Sequence, residues 1–313
     1  MTLRTESGRS GVDTRSVAAL IAVQTLFGLH YLAAKTITET IPPRPWALLR
    51  AASAGLIMIL FVAWRRTPLP TSRGVLARFA GLALIGVAIN QWFFVEGLHR
   101  SSPGHSSLIN TSIPVAVLLI AVLLGRESPT PRRLAGIAVT IAGVLILIRP
   151  ENLDWHASAF RGDLLTLVNA MSYSLFLVVG KPVFERERTI PASALLLGLG
   201  GLWLIPIGGP ALAALDFSAI GPATWALAAF IVLGPTIAAY ALNTYALRRV
   251  PSSVVAFFIY LQPLIGAGLS IALGYDRPTA RLFGAAAIVF VGVFIAMRAP
   301  DGRREPVPLA PEP

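Results

Sequence analysis

Two cations of this 313-residue chain stand inside long apolar runs, Lys35 and Arg50. Charge in hydrocarbon is costly, so an ionisable residue there marks a functional site unless it reaches an interface or a partner. Arg50 lies about five residues, or ~7 Å, from the middle of its run, and Lys35 about nine residues, or ~13 Å. Arg50 is therefore the better candidate to hold a carboxylate or phosphate through its forked guanidinium. Its alternative is to snorkel outward or bond a helix-end carbonyl, and for Lys35 snorkelling is the stronger reading. Glu96 is the acid inside a run, near the same end as both cations, either of which would neutralise it. His30 sits near mid-run, where a core histidine bonded to a backbone carbonyl competes with a proton relay. Gln24, Gly28, Tyr31 and Lys35 follow i, i+4, i+7, i+11 spacing, one polar helix face able to line a cavity, and His30 falls off that stripe.

Uncharged polar groups also sit deep in apolar runs: Asn90 and Gln91, Asn169 and Tyr173, Tyr240 and Asn243, Tyr260 and Gln262. Amides and phenols can hold a zwitterion or sugar without a net charge, or serve as interhelical glue worth ~0.6 kcal/mol each. The run Trp92-Phe93-Phe94 can stack on a planar ligand or simply pack. Pro114 and Pro263 remove a backbone donor within their runs, which makes them candidate hinges. The candidate binding set is thus Arg50, Lys35, Tyr31, Gln24, Asn90, Glu96, Tyr173, Tyr240, Asn243 and Gln262.

Catalytic patterns are missing from the sequence. Cysteine is absent, so thiol chemistry, disulfides and Cys-based metal sites are excluded. Gly180-Lys181 is followed by Pro182, which breaks the phosphate-binding loop of an ATPase, and neither a Gly-x-Ser-x-Gly elbow nor a His-Glu-x-x-His helix occurs. No catalytic residue, cofactor or metal is expected. An intramembrane enzyme lacks a nucleophile or metal cluster at depth, and a non-transporting sensor or scaffold would more often carry a soluble signalling domain; both stand as alternatives.

The elements that position these residues follow from composition. Hydrophobic residues make up 55% of the chain and charged ones 13%, against about 25% charged in soluble domains. Apolar runs recur at 16–37, 45–64, 76–98, 105–125, 132–149, 162–182, 191–209, 222–246, 252–273 and 279–298, each near the ~20 residues that span a bilayer. The expected fold is an all-α integral membrane protein of ten transmembrane helices. With both termini inside, 18 Lys and Arg fall on inner segments and 6 on outer ones. That bias favours cytoplasmic termini, and the scarcity of lysine beside abundant Arg, Ala, Gly and Pro fits a bacterial inner cell membrane. The net charge of +11 then reflects lipid headgroups and topology, not nucleic acid. The expected partners are the bilayer and a small-molecule substrate, with a homo-oligomer left open. The stretches 1–15 and 299–313 read as cytoplasmic tails.

A repeat lies inside this pattern. Leu98 to Ile146 aligns without a gap on Leu247 to Ile295, pairing Arg100 with Arg249, Pro114 with Pro263, Gly125 with Gly274, Pro129 with Pro278 and Gly143 with Gly292, while Glu127 meets Asp276. Lys35 and Lys181 end comparable runs. Two repeats, 16–149 and 160–298, each hold five spans. An odd number inverts the second relative to the first and places a site between them near the midplane. The run Glu96-Gly-Leu-His-Arg-Ser-Ser-Pro-Gly-His-Ser-Ser-Leu-Ile, with Pro114, Gly125-Arg-Glu-Ser-Pro and Ala142-Gly-Val-Leu, resembles the EamA domain of the drug/metabolite transporter superfamily. The second copy reads Tyr245-Ala-Leu-Arg-Arg-Val-Pro-Ser-Ser, Leu261-Gln-Pro, Gly274-Tyr-Asp and Gly292-Val. Gln262 stands where the second domain often has an acid, and Asp276 replaces Glu. The resemblance implies ten helices, a central cavity, and secondary, non-ATPase transport of amino acids, metabolites or drug-like compounds by alternating access.

Overall fold

The computed structural model describes residues 14–125, 130–148, 158–250 and 252–297. The remaining tail positions, Glu127, Pro129 and Asp154 lie outside the described residues. Among the described residues the long helices run in the order α1 (Thr14–Thr40), α2 (Pro43–Trp64), α3 (Arg73–Arg100), α4 (Pro103–Leu123), α5 (Pro131–Ile148), α6 (Ser158–Phe184), α7 (Thr189–Ala213), α8 (Pro222–Leu247), α9 (Val254–Ala272) and α10 (Ala280–Met297). No strand occurs among the described residues. All but α5 and α10 are long and apolar enough to cross a membrane, which gives eight candidate spans. In α5 and α10 the described apolar stretches are shorter, Leu134–Gly143 and Ala280–Gly292.

Punctuation in the sequence explains the helix ends. Pro43, Pro103, Pro131 and Pro222 open α2, α4, α5 and α8, where a missing N–H costs nothing and the fixed φ suits the first turn. Gly125 and Gly274 close α4 and α9 with φ of 67° and 78°, a left-handed conformation that glycine adopts without strain. Large apolar side chains face outward, among them Leu60 and Trp64 on α2, Leu202 on α7 and Phe294 on α10. Such faces suit a lipid surround, not water.

Local devices recur 146 to 149 residues apart. A π-helical segment interrupts α3 at Leu84–Ile89 and α8 at Val232–Ala238. A 3-10 turn, Asn110–Ser112 in α4 and Phe258–Tyr260 in α9, precedes Pro114 and Pro263 respectively. Lys35 Nζ donates to the carbonyls of Leu98, His99 and Ser101 at 3.1, 2.9 and 2.7 Å. Lys181 Nζ donates to those of Leu247 and Val250, both at 3.1 Å. Each lysine thus satisfies orphan carbonyls at the end of the helix two places further along the chain, a favourable position for a cation.

Glycine lets the helices close on one another. A Cβ on Gly55 of α2 would lie 2.7 Å from the Gly198 backbone of α7, and one on Gly201 would lie 2.9 Å from Ala52. Gly97 of α3 and Gly162 of α6 face each other in the same way, as do Gly143 of α5 and Gly292 of α10 toward their opposite helices. Close backbone approach is a main source of helix attraction where both helices and lipid are apolar. Direct contacts also define two ends of the bundle. At one end Asp276 accepts from Ser102 Oγ (2.6 Å), Gly104 N (2.8 Å) and Ser270 Oγ (2.6 Å), while Asp163 accepts from Ser101 Oγ and contacts His105. Lys35 belongs to this end, and Lys181 to the other, where Arg248 donates to Thr189 at 3.2 Å.

Candidate functional site

A cavity lies among the helices. Phe27, His30 and Tyr31 of α1, Arg50 of α2, Asn90, Gln91 and Phe94 of α3, and Asn110 and Ile113 of α4 form one side. Asn169 and Tyr173 of α6, Tyr240 of α8 and Gln262 of α9 form the other. Arginine supplies its fixed charge, and no acid occurs among the described residues that line it.

Arg50 reaches the cavity because α8 is broken beside it. Pro235 cannot give the N–H that an α-helix would direct at the Ile231 carbonyl. The Thr236 hydroxyl donates to that oxygen at 2.8 Å and accepts from Arg50 Nε at 2.7 Å. The Arg50 side chain is buried, and its two terminal nitrogens form no hydrogen bond among the described residues. Neither snorkelling nor a helix-end carbonyl accounts for this placement. A guanidinium bound through one nitrogen keeps its fork free.

The matching break in α3 lies directly before the lining residues Asn90 and Gln91. Two carbonyls of its π segment accept from other helices, Ile85 from Ser172 Oγ at 2.5 Å and Gly86 from Tyr240 OH at 2.7 Å. Such segments loosen the regular i to i−4 ladder and often occur at functional sites. Just beyond it, Asn90 Nδ2 donates to the Asn169 carbonyl at 3.3 Å and Asn169 Nδ2 returns a bond to the Asn90 carbonyl at 2.9 Å. Asn90 therefore joins α3 to α6 while lining the cavity, which combines the two roles expected of amides in membrane helices.

A second chain of bonds runs from Asn110 Nδ2 to Tyr31 OH (2.6 Å), from Tyr31 OH to Gln262 Oε1 (2.8 Å), and from Gln262 Nε2 to Gln24 Oε1 (2.5 Å). It corrects the reading of the polar stripe on α1. Gly28 faces Ile265, whose Cβ would be 2.7 Å from an added one, and Gln24 is buried against Gln262. From Gln24 to Tyr31 the stripe is an α1 to α9 seam, and Tyr31 is the stripe residue that also meets the cavity. His30, off the stripe, lines the cavity; its ring stacks on Phe94 at 5.0 Å, and Nε2 has no hydrogen-bond partner among the described residues.

The other candidates divide. Tyr173, Tyr240 and Gln262 line the cavity, whereas Asn243 is buried outside its lining. Lys35 lies away from the cavity, held by carbonyls. Glu96 pairs with Arg100, one turn along α3, and not with Lys35 or Arg50. Adjacent charges at i, i+4 find each other with little entropic cost. Sequence reasoning missed Asn110, Phe27 and Ile113. An amide four residues before Pro114 was a usable signal for Asn110; nothing distinguished Phe27 or Ile113 from ordinary apolar positions.

The fold and cavity define a multi-pass helical membrane protein with a polar chamber among its spans. The EamA-like transporter family model matches residues 14–149 and again 160–298, and the chain belongs to that family. It is 26% identical over 259 residues to an uncharacterized transporter of Archaeoglobus fulgidus, covering 82% of this chain and 88% of that one. It is likewise 26% identical over 266 residues to the uncharacterized inner membrane transporter YedA of Escherichia coli K12, covering 82% of each. A solved crystal structure at 20% identity matches with a TM-score of 0.64, covering 90% of this chain and 96% of its own, which shows a shared fold. Family and relatives together make this a membrane transporter.

Proposed function

We propose that the chain is a ten-span secondary transporter of small organic metabolites, built from two five-helix halves of opposite orientation and working by alternating access. The observation that carries this reading is the shared cavity, to which α1 to α4 and α6, α8 and α9 all contribute. Paired π segments, paired 3-10 turns and the Lys35 and Lys181 caps support equivalent halves. Two halves that exchange roles provide an inward-open and an outward-open state of similar energy. Pro114 and Pro263, each just after a 3-10 turn, are the proposed hinges, since bending there breaks no additional bond from a proline nitrogen.

Purified protein in liposomes loaded with a defined mixture of organic acids, amino acids and nucleosides is expected to speed the loss of at least one solute. Efflux and uptake of every solute at protein-free rates would reject transport. The orientation has its own test, because lysine and arginine dominate the segments assigned to the inside. In this cysteine-free chain, Asp216→Cys and Asp276→Cys should react with impermeant maleimide on intact cells. Arg66→Cys and Arg188→Cys should react only after permeabilisation, and the reverse pattern would overturn the topology.

A further inference from the structure

The cavity is electrically lopsided. Arg50 brings a positive charge into it, and the described lining holds no carboxylate to balance that charge. Nε is committed to Thr236, while the terminal nitrogens have no protein acceptor among the described residues. A buried guanidinium without a counter-ion is costly, and a ligand that supplies the missing acceptors recovers that cost on binding. The remaining walls do not resemble a cation site. Phe27, Phe94 and Tyr173 offer apolar faces, and Asn110 keeps a side-chain oxygen without a partner.

We propose that the cavity selects small organic monoanions: a carboxylate held in bidentate fashion by Arg50, attached to a flat apolar body that lies against Phe27, Phe94 and Tyr173. This rests on the transporter reading above and names its substrate class. A primary amine meets Arg50 repulsion with no acid to offset it. An amino-acid zwitterion gains the Arg50 contact but leaves its ammonium facing only neutral oxygens. A neutral amide keeps the apolar contacts and loses the charged fork. The order of affinity is carboxylate, then zwitterion, then amide and amine. A singly charged ligand cancels the cavity charge, so the loaded and empty carriers differ by one charge.

The test is binding to the purified full chain in detergent, read by the shift in melting temperature and by titration calorimetry. The probes are acetate, benzoate and 3-phenylpropionate, the matched amides and amines of the two aromatic acids, and phenylalanine. At least one aromatic carboxylate is expected to bind tenfold or more tightly than its amide, with acetate and the amines weakest. Arg50→Gln should erase the preference for carboxylate over amide while leaving amide affinity within twofold; Arg50→Lys, which keeps the charge without the fork, should retain part of the preference. Amides or amines binding as well as both aromatic carboxylates would overturn the proposal, as would binding by none of the three acids to the wild-type chain. The wild-type series decides the matter even if an Arg50 variant fails to fold. Binding in detergent with no flux in liposomes would reject the transport reading alone, whereas flux confined to neutral or cationic solutes would reject the anion alone.

Discussion

Gly55→Val is expected to cut the yield of folded protein at least tenfold. The first atom that the substitution adds would stand 2.7 Å from the Cα and N of Gly198 and 2.9 Å from the carbonyl carbon of Leu197. Those are backbone atoms, which cannot rotate aside as a side-chain tip can. Relief requires α2 and α7 to move apart, and that separation also opens the Gly201 contact with Ala52 on the same seam. Overpacking of a tight core typically costs ~1–3 kcal/mol. Here the lost helix contact adds to it, since lipid offers no hydrophobic penalty to hold the pair together. Arg50 lies on α2 five residues from Gly55, so the same displacement disturbs its bond to Thr236 across to α8. Gly81→Ala, where nothing lies within 4 Å, is the control and should leave yield unchanged. Fluorescence-detected size exclusion reads both variants. A Gly55→Val peak matching wild type in height and position would show that the α2 to α7 seam is not as tight as the structure describes.

Lys35→Met should lower stability without weakening substrate binding. Three carbonyls at the end of α3 lose their donor, and the helix end is left with unpaired acceptors in a half-buried setting. Hydrogen bonds to charged groups contribute ~1.5–3 kcal/mol each. Partial exposure allows water to replace some of that, so a total loss of about 2 kcal/mol is expected, with a melting temperature several degrees lower. Lys181→Met should behave alike at the opposite end of the bundle, and the two losses should add because the sites share no partner. Ligand affinity measured on the folded fraction should equal that of wild type. A Lys35→Met protein that melts normally but binds its ligand more weakly would return Lys35 to the binding site.

The sequence by itself determined much about this protein. Apolar run length set helix position to within a few residues, because hydrocarbon thickness allows little else. Proline and glycine punctuation set the ends, and the repeated spacing of Lys35, Pro114, Gly125 and their partners already pointed to duplicated devices. Arg50 was legible as the deepest fixed charge, and Tyr31, Asn90, Tyr173, Tyr240 and Gln262 as polar groups at depth, because burial cost alone makes such residues conspicuous. Only the tertiary structure decided what each one faces. Helical periodicity names a face but not the neighbour that covers it, so the stripe from Gln24 to Tyr31 read as cavity wall until Gln262 and Ile265 of α9 were seen against it. Glu96 and Lys35 turned out to be spoken for by Arg100 and by backbone carbonyls. Backbone acceptors carry no side-chain signature that a sequence could display. The free fork of Arg50 is likewise a product of the fold. It depends on Pro235 breaking α8 within reach of α2, 185 residues away along the chain, so that Thr236 holds Nε and leaves the terminal nitrogens to the cavity.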